Sequence, residues 1–226
     1  MLVEQRWPIA DRSKIQLFSM PTPNGVKIGV ALEELGLPYE AHRVDITNGE
    51  QLTSEFVSIS PNGKIPVIID PDAFDTPTAI MESGAILIHL ADKAGKLIPQ
   101  DPKGRMECLQ WLFFQVGHIG PMFGQFGHFL KFASDKCDHP YPLERYLNES
   151  RRLLGVLDRR LAGRAWLAGN MYTIADIAIF PWISGLLDFY RAGDLLGFEG
   201  FSHVAEWYGR CIARPASVRG AKVASA

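Results

Sequence analysis

Three groups of residues in this 226-residue chain could do chemistry. The first is the thiols, Cys108, Cys137 and Cys211. They are odd in number and widely spaced, with no C-x-x-C, which argues against a disulfide framework and against a protein-borne dithiol redox centre. The second is Cys137-Asp138-His139, two metal-ligating residue types close together. A metal needs three or four ligands and no second Cys/His cluster accompanies these, so no metal is expected. The third is a pair of predicted helix starts, where unpaired amides and the positive end of the helix dipole favour anions. One follows Pro21-Thr22-Pro23-Asn24-Gly25, with a hydroxyl and a carboxamide able to donate hydrogen bonds. The other is Glu82-Ser83, a carboxylate beside a hydroxyl at the start of a helix.

The elements that position these groups are legible from periodicity and turn chemistry. Ile15 to Met20 reads as a short buried strand, ended by the Pro21–Gly25 turn. A helix follows, with Val26, Val30, Ala31, Leu32 and Leu35 at helical spacing and Gly36 as its left-handed cap. Tyr39 to Ile46 is a second strand, and a short helix lies around Thr53 to Ser58. Pro66 to Asp70 and Thr78 to Met81 read as an antiparallel hairpin. Ser83 suits the N-cap of a helix that Gly95 stops. Residues 15–94 therefore form a β-α-β-α-β-β-α unit with a mixed sheet.

Pro99, Asp101, Pro102 and Gly104 mark a linker, and beyond it no alternating strand pattern appears. Arg105 to Ala133, Leu143 to Leu161, Ile174 to Tyr190 and Phe201 to Ala213 read as helices. Thr173 to Asp176 is a capping box in front of a helix apolar nearly all round, a folding signal at the centre of the second domain. The division is a polar leader at 1–14, an α/β domain at 15–94, a linker at 95–104 and an all-α domain at 105–226.

Composition excludes several classes. Lys plus Arg number 23 and Asp plus Glu 25, a net charge of −2, which gives no reason to expect nucleic acid or an anionic membrane surface. No apolar run approaches the roughly 20 residues that cross a bilayer, and the first residues carry no signal-like stretch. A cytoplasmic protein with reduced thiols is expected. The sequon Asn148-Glu149-Ser150 is accordingly read as chance.

A thioredoxin-like α/β domain followed by an all-α helical domain resembles the cytosolic glutathione transferases over about residues 14–220. Ser60-Pro-Asn-Gly-Lys-Ile-Pro66 resembles that family's turn with a cis proline, Glu82-Ser83 its glutathione motif, and Thr173 to Asp176 its capping box. Pro21 to Gly25, with Leu109 to Gly117 running into Gly120 to Gln125, is similar to the nu class of bacteria. The leader is not explained by the shorter members of that class.

The resemblance implies glutathione-dependent reduction of small-molecule disulfides, with some reduction of organic peroxides, in a homodimer whose sites each take two glutathiones or one glutathione disulfide. It implies that Thr22 and Asn24, rather than Ser19, stabilise the thiolate of bound glutathione. A thiol of ordinary pKa, about 8.5, is only a few per cent ionised at neutral pH, and the thiolate is the nucleophile. It further implies that the main chain of Ile65 pairs with the cysteinyl part of the tripeptide, Glu82 with its ammonium and Ser83 with its carboxylate. Gln51 and Arg145 are the remaining expected contacts, whereas Lys64 is read as a surface lysine. His118 and His128 are not expected to be bases, because exchange at a preformed thiolate needs none. Gly117, Gly120, Pro121, Gly124 and Gly127 imply close helix packing or a kink, and some of Phe123, Phe126, Phe129 and Phe132 are expected in an acceptor pocket. Two other readings stay open: conjugation of glutathione to small electrophiles, and a non-catalytic ligand-binding or docking module.

Overall fold

The computed structural model describes residues 1–133 and 135–225. The chain separates into two compact units, Met1–Lys96 together with the residues from Pro215 onward, and Leu97–Arg214.

In the α/β unit, β1 (Ile15–Ser19) is buried along its whole length, as a strand covered on both faces must be. The turn at Pro21 leads into α1 (Pro23–Leu35), which Gly36 ends at φ 66°. The sequence carries the second strand to Ile46. In the structure β2 ends earlier (Tyr39–Arg43), because the Asp45 carboxylate accepts from Thr47 N–H and opens a 3-10 turn. After α2 (Ser54–Val57) come β3 (Val67–Asp70), β4 (Thr78–Met81) and α3 (Ser83–Ala94). The sheet order is β2-β1-β3-β4, with β1 parallel to β2 and antiparallel to β3, and β3 antiparallel to β4.

The leader is a structural wedge. Val3 and Trp7 are buried in a cluster with Phe18, Val44, Phe56 and Ile59, and Ile65 packs against it. Trp7 meets Phe18 and Phe56 edge-on at 6.1 Å each, and its indole N–H donates to Arg43 O at 2.7 Å. The Glu40 carboxylate accepts from the N–H groups of Ala10 and Asp11. Polar residues thus tie the leader down while two apolar ones fill the space behind β1 and the turn that carries Ile65.

The chain end also differs from its expected place in the helical domain. The short helix from Pro215 to Gly220, absent from the predicted elements, packs on α1. The two backbones nearly touch there: a Cβ at Gly220 would lie 2.4 Å from Val30 N.

The end of β3 is fixed to α3 by Asp70, whose side chain is fully buried, 2.7 Å from His89 Nε2 and 3.0 Å from Lys93 Nζ. Burial pushes its carboxyl up, but hydrogen bonds involving His89, Asp72 and Lys93 outweigh that and bring it down to about 2. A depressed folded-state pKa stabilises above the unfolded value, about 3.9, and that contribution disappears as pH falls through 2. Asp70→Asn is therefore expected to cost about 2 kcal/mol at neutral pH. The cost should fall away as pH drops below 2, as denaturant titrations at pH 7 and below pH 2 would show.

In the helical unit, α4 (Pro102–Phe114), α5 (Gly120–Gly127), α6 (Tyr141–Leu161), α7 (Ile174–Ser184), α8 (Gly193–Leu196) and α9 (Ser202–Ile212) follow in order. With α10 as the Pro215–Gly220 helix of the other unit, they complete the α-helices of the described residues. Every residue of α7 from Ile174 to Ile183 is buried. Its capping box forms as expected, and the fully buried Asp176 also accepts from Leu167 N–H and the Trp207 indole. The glycine run packs closely, one of the two outcomes expected of it. Turns of π-helix fall at Gln115–Ile119 and His128–Phe132, on either side of α5, and Gly127 leaves space for the Tyr190 ring, 2.0 Å from where its Cβ would sit.

Candidate active site

The first helix start is built by Thr22, the N-cap of α1 at φ −91° and ψ 165°, whose Oγ1 accepts from Gly25 N–H at 3.3 Å. A hydroxyl that accepts there keeps its own hydrogen to donate outward. Gly25 is required, because a Cβ would lie 2.0 Å from Met20 O and 2.5 Å from Ser19 Oγ. Ser19 is buried, and its hydroxyl donates to Met20 O at 3.4 Å. Its hydroxyl hydrogen is thus engaged by a main-chain carbonyl beside the first turn of α1.

Asn24 leads to a residue the sequence analysis missed. Lys27, one turn further along α1, is 1% exposed, and its ammonium donates to Asn24 Oδ1 at 2.8 Å and to Ser83 Oγ at 3.1 Å. It therefore joins the two helix starts from beneath. Burial brings its pKa down from 10.5 to about 7, against the opposing field of Glu82. One sequence signal could have exposed it: a cation in the first turns of a helix opposes the helix dipole and needs another reason to be there.

At the second start the expected cap is displaced by one residue. Ser83 is the first residue of α3, and the N-cap is Glu82 at φ 69° and ψ 113°, without a side-chain capping bond. Glu82 is exposed and Ser83 buried. Glu82, Asn24 and Ile65 line one cleft of about 230 Å³, with Pro66 and Lys64 on its wall. The Ile65–Pro66 peptide is cis. Among the described residues no backbone hydrogen bond engages Ile65, so its main chain is available for pairing. Gln51 lies beside this turn, its main-chain oxygen 3.2 Å from where a Cβ of Gly63 would sit. Its side-chain Oε1 is buried without a hydrogen-bond partner among the described residues.

Thr22, Asn24, Ile65, Glu82 and Ser83 are therefore parts of one local assembly, with Gln51 close by. Arg145 is exposed on α6 of the helical unit. Of the four phenylalanines, Phe123 and Phe126 are core, Phe129 stacks on Tyr146 and Phe132 is half exposed beside Phe189. His118 and His128 are exposed. Cys108 and Cys211 are buried in the helical unit, and burial pushes the Cys108 thiol up, away from thiolate chemistry. A wider notch of about 320 Å³, between Leu161, Arg164, His203 and Arg210, gathers no comparable set of groups. Among the described residues no group of His, Cys, Asp and Glu could hold a metal ion, and no helix is long and apolar enough to cross a membrane.

Comparison with known proteins decides the family. Residues 13–92 match the Glutathione S-transferase, N-terminal domain, and residues 120–215 the Glutathione S-transferase, C-terminal domain. The chain belongs to the glutathione transferase family. Within the glutathione transferases it is 42% identical over 205 residues to the disulfide-bond oxidoreductase YfcG of Escherichia coli, covering 90% of this chain and 92% of that one. A glutathione transferase family member of Pseudomonas fluorescens, solved with two glutathiones bound, is 55% identical with a TM-score of 0.97 and 99% of each chain covered. A glutathione transferase of Pseudomonas putida, solved with one glutathione disulfide per subunit, is 51% identical with a TM-score of 0.95, covering 98% of this chain and 96% of that one. The thioredoxin-like α/β domain followed by a helical domain is the fold of this glutathione transferase, as its sequence implies.

Proposed function

We propose that this glutathione transferase reduces disulfides, with glutathione as the only catalytic thiol. The observation that carries the reading is the cleft in the α/β unit. It offers an available peptide edge at Ile65 and a carboxylate at Glu82, and next to it stand two helix starts joined by Lys27. These suit, in turn, the cysteinyl backbone, the ammonium, and the thiolate and carboxylate of a γ-glutamyl tripeptide. The α/β unit contains no cysteine, so the thiol in this cleft is the ligand's. The orphaned Gln51 Oε1 is an acceptor suited to an N–H of the tripeptide.

In the proposed reaction Thr22 and Asn24 hold glutathione as thiolate, which attacks one sulfur of the substrate disulfide. The S–S bond breaks, the other sulfur leaves as thiolate and takes a proton, and a mixed disulfide forms. A second glutathione thiolate attacks that disulfide at the glutathione sulfur, releasing the second substrate thiol and glutathione disulfide. Two glutathiones supply the two electrons. An organic hydroperoxide is a second acceptor for the same thiolate: attack on its O–O bond yields an alcohol and a glutathione sulfenic acid, and the second glutathione displaces that oxygen as water to give glutathione disulfide. Homodimerisation is part of the proposal, supported by Met106 and Phe113, which leave α4 57% and 63% exposed on one face.

The test sets glutathione-dependent reduction of a small aliphatic disulfide, read as glutathione disulfide formed, beside conjugation of an activated aromatic chloride. Disulfide turnover well above conjugation is the expected result. The reverse ratio would make the protein a conjugating transferase. Retention on immobilised glutathione without either turnover would make it a binding module.

A further inference from the structure

We propose that Lys27 is a positioning residue of this site, its buried ammonium turning the Asn24 carboxamide and the Ser83 hydroxyl so that both present donors to the bound tripeptide. The inference rests on the glutathione reading above. An ammonium is a donor only. At 2.8 Å from Asn24 Oδ1 it occupies the acceptor end of that carboxamide, which leaves the amide N–H groups for a sulfur anion. At 3.1 Å from Ser83 Oγ it occupies an acceptor lone pair of the hydroxyl, which leaves the O–H for a carboxylate. One buried cation thus sets the polarity of both groups, Asn24 on the cleft wall and Ser83 at the start of α3. With a hydrocarbon in its place, the Asn24 carboxamide could present its oxygen, and an oxygen facing a thiolate repels it.

Stability does not account for a lysine here. A side chain 1% exposed carries a desolvation cost, and the start of α1 opposes a cation. An apolar residue of similar length would avoid both costs. The amine has been brought to about 7 by burial, and the charge facing it from the start of α3 is Glu82. On the α10 side Arg219 pairs with Glu33, further along α1. Two anionic ligand groups arriving at Asn24 and Ser83 favour the ammonium over the amine, so binding should draw a proton onto Lys27.

The decisive experiment is a titration of bound glutathione by its thiolate ultraviolet absorption, in wild type and in Lys27→Met, with kcat and KM for disulfide reduction beside it. The expected result is a bound-thiol pKa about one unit higher in the variant, a kcat about tenfold lower at neutral pH, and recovery of rate in alkaline buffer. A thiol titration identical to wild type would overturn the proposal while leaving glutathione chemistry intact. Absence of both thiolate signal and turnover in wild type would overturn the functional reading and this proposal with it. Should Lys27→Met not fold, wild type still decides. Binding of S-methylglutathione above pH 7, followed by calorimetry in two buffers of different ionisation enthalpy, is expected to take up protons, and heats independent of the buffer would rule the role out.

Discussion

Replacing Thr22 by alanine is expected to lower kcat for disulfide reduction about 100-fold with the KM for glutathione nearly unchanged, the loss associated with removing one preorganised donor at a developing or stabilised anion. Thr22 is held by its backbone at the start of α1, and its Oγ1 accepts from Gly25 N–H, so the hydrogen that remains has one direction left to serve. That geometry exists before any ligand arrives. The sulfur contributes little to ground-state recognition of a tripeptide held by both charged ends, so the cost falls on turnover. Thr22→Ala also removes a helix cap worth about 1 kcal/mol, so the control is Thr22→Ser, which retains cap and donor and should stay within a fewfold of wild type. Thr22→Val keeps the shape and loses both. Steady-state kinetics on the three variants, with the bound-thiol titration, separate the roles. A Thr22→Ala enzyme with wild-type kcat would remove Thr22 from the catalytic set.

Much of this assembly was legible because its parts are local. Gly36 and Gly95 end α1 and α3 in left-handed conformations, and Thr173 with Asp176 forms the capping box, all within a few residues of what they cap. What escaped was long-range. Val3 and Trp7 sit among Glu4, Arg6, Asp11 and Arg12, so the leader reads as polar, and only the space behind Phe18 and Phe56 shows why two apolar residues suffice. Helix α10 is six residues long and carries little helical signal of its own; it exists because Gly29 and Gly220 let two backbones approach. Lys27 was hidden for the opposite reason. A periodicity argument counts it as a polar break in the buried face of α1, whereas the fold buries it with the rest of that face and gives it partners 3 and 56 residues away. Ser83 was placed one position early because nothing local announces that Glu82 adopts φ 69°.

That conformation leads to the second large effect. Glu82→Gly is expected to weaken glutathione binding roughly 30-fold, the loss of a charge-assisted hydrogen bond worth about 2 kcal/mol, while the unliganded protein gains stability. At φ 69° and ψ 113° a residue with a Cβ is strained by about 1–3 kcal/mol. The Glu82 side chain makes no capping hydrogen bond to its own helix and stands exposed on the cleft wall, so what it sets against that cost is confined to its field on Lys27. Glycine relieves the strain and gives back part of the gain through a more flexible unfolded chain, leaving a net stabilisation of up to about 1 kcal/mol. Alanine and glutamine keep the Cβ and hence the strain, so Glu82→Ala and Glu82→Gln should weaken binding as glycine does while leaving stability near wild type. Calorimetric glutathione affinities and denaturant midpoints on the three variants test both halves. If glycine destabilised the protein, the backbone at Glu82 would not be strained. If all three variants bound glutathione like wild type, the carboxylate would not be the partner of the ammonium. Affinity lost in all three with stability gained in glycine alone would mean that the fold holds a carboxylate in an unfavourable conformation for the ligand it meets there.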